Sequence, residues 1–233
     1  MRRPLSQTET FGNNALTFYK GLAIPVGLPK GIEVINPYKE AEASRLCKAF
    51  CDRFYNDTRE KTFVFGINPG RFGGGTTGVN FTDPYALEEF CGIKNNLPKV
   101  RERSSEFIYS VIQEWGGARK FYRDFFLTAL CPLGFTKRGV NYNYYDDPKV
   151  CRSIEPFIIS TLIQQLDLGA NREAVIILGT GKNYKFFVKI NEKFGFFKTV
   201  YPLEHPRFIM QYRRKDIETY MEKYRKIFKI ARP

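Results

Sequence analysis

Histidine is nearly absent from this chain: its 233 residues hold a single one, His205. One imidazole excludes most His-rich zinc and iron sites, which need several. The five cysteines, Cys47, Cys51, Cys91, Cys131 and Cys151, include no C-x-x-C pair. An odd count without a secretory leader argues against a disulfide framework. The start, Met1-Arg2-Arg3-Pro4-Leu5-Ser6, has no apolar run behind its charges and does not read as a secretory signal. No apolar stretch approaches the ~20 residues that a membrane span needs. Internal repeats and linkers are missing too. So is the Gly-x-Ser-x-Gly elbow of the serine hydrolases.

What is present is an aromatic-rich, basic chain. Apolar residues make up 43% and aromatics 16%, too hydrophobic for disorder. Lys plus Arg is 37 against 24 for Asp plus Glu, a net charge of +13. Such an excess favours polyanions, nucleic acid first, although a solvated basic helix face gives the same count. Residues 207–233 hold nine Lys/Arg and three Asp/Glu, a net of +6 and nearly half of the total. Cys47 and Cys51 share a helix face with Leu46, Phe50, Phe54 and Tyr55, which reads as buried free thiols.

Residues 1–35 are poorly patterned apart from a helical turn at Leu16 to Tyr19. Asn36-Pro37 reads as the cap and first position of a helix running to about Tyr55. Strands are expected at Thr62–Ile67, Phe125–Leu130, Ala174–Leu178 and Phe197–Tyr201. Between them lie helices from Asp83-Pro84 to about Gly92, over Ser105–Trp115, from Asp147-Pro148 to Leu168, and over Lys182–Phe194. Asp216–Ile230 is an amphipathic closing helix. Residues 93–102, Cys131–Asp147 and Glu204–Tyr212 read as loops. Strands alternating with helices predict an α/β fold, a three-layer α/β/α domain spanning 1–233 with a central parallel sheet of about four strands. A parallel sheet puts the loops that start at Asn68, Cys131, Gly179 and Glu204 on one edge.

The first of these loops carries the most information. Phe65 to Phe81 holds six glycines and one proline in seventeen residues. That composition suits a backbone passing close to something else, and equally a slack surface loop. Gly179-Thr180-Gly181-Lys182-Asn183 fails as a phosphate loop: Ile176 replaces its first glycine, and Asn183 its Ser/Thr. A nucleophile–His pair would need Cys131 beside His205. His205-Pro206-Arg207 is followed by Phe208 to Lys215, which mixes apolar residues with cations. Apolar wedges beside arginines suit insertion into a base stack, and a short buried turn is the plain alternative.

Taken together, these loops resemble the uracil-DNA glycosylase superfamily, above all its single-strand-selective monofunctional uracil-DNA glycosylases. Gly66-Ile67-Asn68-Pro69-Gly70-Arg71-Phe72-Gly73, continuing through Thr77-Gly78-Val79-Asn80-Phe81, matches that family's first motif without a gap. Cys131-Pro132-Leu133-Gly134-Phe135 with Gly139-Val140-Asn141 matches its middle motif, and His205-Pro206 begins its last. The resemblance covers roughly residues 60 to 210. It implies a water-positioning Asn68, a base-stacking Phe81, a base-reading Asn141 (with Asn143 as a competitor) and a leaving-group His205. Gly66, Ile67, Pro69 and Gly70 would complete the base pocket. Pro206, Arg207, Phe208, Arg213 and Arg214 would meet DNA. Thr82 departs from the motif's final glycine. His205-Pro206-Arg207-Phe208-Ile209 departs from His-Pro-Ser-Pro-Arg, which implies a differently shaped wedge in a divergent bacterial branch.

The resemblance implies a hydrolase that flips out uracil and cleaves its N-glycosidic bond, initiating base excision repair without strand cleavage. No cofactor or metal is expected. The expected partner is DNA carrying a damaged base, met by a monomer in the cytoplasm or nucleoid and not at a membrane. Gly70 stands where the major uracil-specific branch has a tyrosine against thymine's methyl. That predicts a wider pocket near base C5, tolerant of 5-substituted uracils or of other deaminated bases such as xanthine. A catalytically silent DNA-binding module and an iron–sulfur member of the superfamily are the competing readings. The cysteine spacing fits the latter poorly.

Overall fold

The computed structural model describes residues 9–233; Met1 to Ser6, read above for a leader, lie outside them. In chain order the elements are α1 (Phe11–Lys20), β1 (Ile32–Ile35), α2 (Ala41–Phe54), β2 (Lys61–Gly66), α3 (Gly74–Thr77), α4 (Pro84–Glu89), α5 (Arg103–Glu114), α6 (Ala118–Asp124), β3 (Phe125–Ala129), β4 (Gly134–Lys137), β5 (Val140–Tyr142), α7 (Pro148–Leu166), β6 (Ala170–Leu178), α8 (Lys182–Phe194), β7 (Thr199–Leu203), α9 (Pro206–Tyr212) and α10 (Ile217–Ala231).

The central sheet has four parallel strands in the order β3-β2-β6-β7, flanked by helices, as the alternation of strands and helices predicts. All residues of β2 and β3 are buried, which is why each carries a continuous apolar stretch, Phe63-Val64-Phe65 in β2 and Phe125-Phe126-Leu127 in β3. The chain leaves β2 toward β3 on one side and later returns through β6 to the other. The order of winding therefore reverses at β2, and a crevice opens there outside the carboxyl ends of the strands. The loop after Gly66 lies at this reversal.

Several expectations need correction. Asn36 does cap, its side chain accepting from the Tyr38 N–H at 3.2 Å, but what it caps is a short 3-10 turn at Pro37–Lys39. The α-helix behind it starts only at Ala41. The Cys131–Asp147 loop contains a hairpin, β4-β5, which joins β1 in a second, antiparallel sheet ordered β1-β4-β5. Its strands are only three and four residues long, too short for a clear alternation. The expected loop at Glu204–Tyr212 is largely α9, whose inward positions are Pro206, Ile209 and Met210. Its Arg207-Phe208 and Gln211-Tyr212 pairs are exposed at helical spacing. Helices α1 and α6 fall where the sequence suggested a single turn or nothing.

Among the described residues no helix is long and apolar enough to cross a membrane.

Candidate active site

At the end of β2 the chain is tied to its neighbours before it enters the glycine-rich loop. The Gly66 and Ile67 carbonyls accept from the Leu130 and Cys131 N–H groups, each at 3.1 Å. The Asn183 amide donates to the Leu178 carbonyl at 3.0 Å and to that of Gly66 at 3.4 Å. Its oxygen accepts from the Tyr144 hydroxyl at 2.8 Å. The residue that spoils the phosphate-loop pattern thus pins the ends of β2 and β6 together.

Asn68 is held from both ends of its amide. Its NH2 donates to the Tyr142 carbonyl at 3.2 Å, and its oxygen accepts from the Tyr144 N–H at 3.2 Å. One N–H and one lone pair remain for another partner. An amide fixed in this way orients a water but takes no proton.

Phe81 lies over the β2 terminus. A Cβ on Gly66 would sit 2.5 Å from the Phe81 Cζ, so only glycine admits the ring there. Phe81 also has a left-handed backbone, φ 57°, which costs a residue with a Cβ about 1–2 kcal/mol. A buried network holds the loop against that strain. The Thr77 hydroxyl donates to the Thr82 carbonyl at 2.7 Å and accepts from the Val79 N–H at 3.1 Å. The Thr82 hydroxyl meets the Tyr109 hydroxyl at 3.0 Å, which gives the departure from the motif's glycine a structural role. Asp83 caps α4, accepting from the Ala86 N–H at 2.7 Å.

His205 is the N-cap of α9, and its Nδ1 accepts from the Arg207 N–H at 3.2 Å. That bond puts the proton of a neutral imidazole on Nε2. Burial, with Arg207 adding to it, pushes the His205 pKa down to about 4. The group is therefore a neutral donor at physiological pH. Its ring centroid is 5.8 Å from that of Phe81.

Asn68, Phe81 and His205 line one pocket with Gly66, Ile67, Pro69, Gly70, Asn80, Glu102 and Ser104. The two candidate base-reading asparagines separate. The Asn141 oxygen accepts from the Arg71 N–H at 3.0 Å, beside Gly70. Asn143 is turned to Asp146, with its N–H and its amide donating to the two carboxylate oxygens at 2.8 and 3.2 Å. Cys131 is buried and its thiol is pushed up to about 12, which removes it as a nucleophile for His205. Of the expected DNA-facing residues, Pro206 is buried at the start of α9, off the surface shared by Arg207, Phe208, Arg213 and Arg214. Phe208 packs against Tyr212 at 5.6 Å with Arg213 over its ring, and Arg214 pairs with Glu106 at 3.4 Å.

Glu102 is a pocket residue that the sequence does not announce. It falls in the stretch that reads as polar loop, at the N-cap of α5, where Ser, Thr, Asp or Asn is usual. Its carboxyl fills the space that Gly70 leaves: a Cβ on Gly70 would lie 2.8 Å from Oε1 and 3.5 Å from the Asn141 Nδ2. The wider pocket expected from Gly70 is therefore occupied.

The sequence model of the uracil DNA glycosylase superfamily matches residues 53–229, which contain every pocket residue named above. The chain belongs to the uracil-DNA glycosylase superfamily. The crystal structure of wild-type SMUG2 from Pedobacter heparinus is similar to this glycosylase-family chain, with 42% identity and a TM-score of 0.92. The likeness covers 95% of this chain and 97% of that one. A comparison with curated proteins gives no match. Family membership makes this a uracil-DNA-glycosylase-like hydrolase whose substrate is DNA.

Proposed function

We propose that the chain is one uracil-DNA-glycosylase-like domain over residues 1–233. It is a monofunctional DNA glycosylase that flips uracil out of DNA and hydrolyses its N-glycosidic bond. The observation that carries this reading is the convergence of Asn68, Phe81 and a neutral, Nε2-protonated His205 on one pocket at the winding reversal of the sheet.

The chemistry follows from the residues. The bond is unreachable inside a duplex, so the base must enter the pocket extruded. Phe81 offers its ring face, with stacking worth about 1–3 kcal/mol per base. As the C1′–N bond stretches, its electron pair moves to the base and positive charge gathers on the sugar. His205 Nε2 donates to the base carbonyl where the negative charge collects. A neutral imidazole stabilises that charge without first giving up a proton. Asn141 keeps its NH2 for a base carbonyl, since its oxygen already serves Arg71. Water held by Asn68 then adds to C1′ through its oxygen. A weak nucleophile suffices against an oxocarbenium ion, so no base at position 68 is needed. The proton that the water gives up passes to the departing base anion, so the products are the free base and an abasic sugar. Base removal without a Schiff base or strand cleavage is part of this reading. The exposed face at Arg207, Phe208, Arg213 and Arg214 suits the flanking phosphates and the gap left by the extruded base. The protein works as a monomer in the cytoplasm or nucleoid.

The similar crystal structure is that of a SMUG2 protein, which agrees with this reading. The test is excision from a uracil-containing oligonucleotide, read as breaks that appear only after alkali. Wild type is expected to leave abasic sites. Asn68→Ala is expected to lose about 10²-fold or more in single-turnover rate while still binding the oligonucleotide. A wild-type-like rate in Asn68→Ala refutes its role, and inactivity of wild type on every deaminated base favours a silent DNA-binding module.

A further inference from the structure

Glu102 has no structural duty that explains its place. It stands at the N-cap of α5, yet its side chain makes no cap hydrogen bond. Its own N–H donates to the second oxygen of the Asp83 carboxylate at 2.7 Å, which turns the side chain toward the pocket. Among the described residues neither carboxyl oxygen of Glu102 has a hydrogen-bond or ion-pair partner. Oε2 fills the space where a side chain on Gly73 would go, and Oε1 faces Gly70 and the Asn141 amide. Gly70 and Gly73 thus make room for this carboxyl. The carboxyl lines the same pocket as Asn68, Phe81 and His205. A base that lies on Phe81 with its edge toward Gly70 meets this carboxyl.

The edge it meets follows from the order of groups around the ring. With His205 at the carbonyl beside the glycosidic nitrogen and Asn141 at the Watson–Crick edge, the next ring position round is C5. We propose that Glu102 is the specificity-determining residue of this pocket, its carboxyl hydrogen-bonding a polar substituent at C5 of the flipped pyrimidine and rejecting an apolar one. The proposal rests on the glycosylase reading above. It replaces the idea of an open C5 pocket with that of a polar one. A 5-hydroxymethyl group gives the carboxyl a hydroxyl partner. A 5-methyl group covers it and offers nothing, and a site built to hydrogen-bond discriminates strongly against an analogue that lacks the partner.

Burial, with Asp83 behind it and Arg207 opposing, raises the Glu102 pKa to about 7. Near neutral pH the carboxyl therefore exists in both forms. Ionised, it accepts from the substituent's hydroxyl; protonated, it donates to the hydroxyl oxygen. His205 is the other titratable group lining this pocket, and it is already neutral in this range.

The test measures single-turnover excision of uracil, thymine and 5-hydroxymethyluracil from one oligonucleotide sequence by wild type, Glu102→Gln and Glu102→Ala. Circular dichroism and melting establish that the variants fold. Wild type is expected to prefer 5-hydroxymethyluracil to thymine, and Glu102→Ala to reduce that ratio at least about tenfold. Glu102→Gln keeps a donor and an acceptor and is expected to retain most of the ratio. An unchanged ratio in Glu102→Ala, a parallel fall on all three bases, or no preference in wild type overturns the proposal. Should Glu102→Ala fail to fold, an unchanged ratio in Glu102→Met, which matches the side chain in length but offers no polar group, would overturn it as well. Failure of wild type to excise uracil overturns the glycosylase reading itself and this proposal with it.

Discussion

Replacing His205 separates two roles that this one side chain holds. Nδ1 caps α9 by accepting the Arg207 N–H, while Nε2 faces the pocket. His205→Ala removes both. Loss of the cap is expected to cost about 0.5–2 kcal/mol. For a chain of this length each kcal/mol lowers the melting temperature by about 2–4 °C. Loss of the donor to the departing base is expected to cost about 10²–10³-fold in the rate of bond cleavage, as for an oxyanion-hole donor. His205→Asn divides the two. Asparagine is among the best N-cap residues, and its oxygen can accept the same N–H. Its side chain is too short to place a donor where Nε2 stands. Melting should therefore return to within about 1 °C of wild type in His205→Asn, while single-turnover excision of uracil stays as low as in His205→Ala. Recovery of the rate together with the melting temperature would show that the imidazole serves only as a cap. A rate within about threefold of wild type in both variants would remove His205 from the chemistry altogether.

The pH profile follows from the same site. Since His205 acts neutral, its pKa of about 4 predicts uracil excision that is insensitive to this group from about pH 8 to about pH 5 and falls on further acidification; an inflection near the ordinary value of 6.5 would contradict it. Stability carries two opposite signs. Between about 4 and 6.5 the unfolded chain binds the His205 proton and the folded one does not, so this group makes stability fall as pH drops through that window. Glu102, with its pKa raised from 4.5 to about 7, holds its proton longer in the folded state, so its contribution is present below 4.5 and is lost as pH rises through about 7. Melting of wild type and Glu102→Gln across this range isolates the second effect. Gly66→Ala should displace the Phe81 ring, because the new Cβ would lie 2.5 Å from it. The overpacking is expected to cost about 1–3 kcal/mol and to weaken uracil excision, and a variant with unchanged rate and melting would show that the ring does not need to lie over β2.

The parallel sheet is legible in the sequence because burial on both faces leaves strands such as Phe63-Val64-Phe65 and Val175-Ile176-Ile177 apolar throughout, and because the helices between them carry caps that local chemistry announces. Asp83-Pro84 and Asp147-Pro148 both cap as read, accepting at 2.7 Å. The hairpin β4-β5 and strand β1 are illegible for the converse reason. Each is three or four residues long, and β1 finds its partner β4 about a hundred residues away, which no local pattern encodes. Helix α9 escapes a sequence reading because Pro206 and a run of cations obscure a period that only two turns display.

The site divides along the same line. Asn68 and His205 each stand two residues past a strand end, β2 and β7, so a reading that finds the strands reaches them, whereas Phe81, fifteen residues past β2, is reached only through the motif. What fixes them in place comes from elsewhere in the chain. Tyr144 reaches Asn68 through its backbone and Asn183 through its hydroxyl, and Asn183 reaches back to Gly66. Neither residue type signals such a tie in sequence. Gly70 shows the limit most clearly. Taking a missing side chain for missing bulk is sound only while nothing else fills the volume. A close-packed interior does not leave such a space open, and here the carboxyl of a residue 32 positions along the chain occupies it. The absence of a Cβ at Gly70 and at Gly73 thus makes the pocket polar where the sequence suggests that it is wide. On the proposal above, a preference for 5-hydroxymethyluracil over thymine is expected from the polar pocket, whereas a wide apolar pocket would admit both.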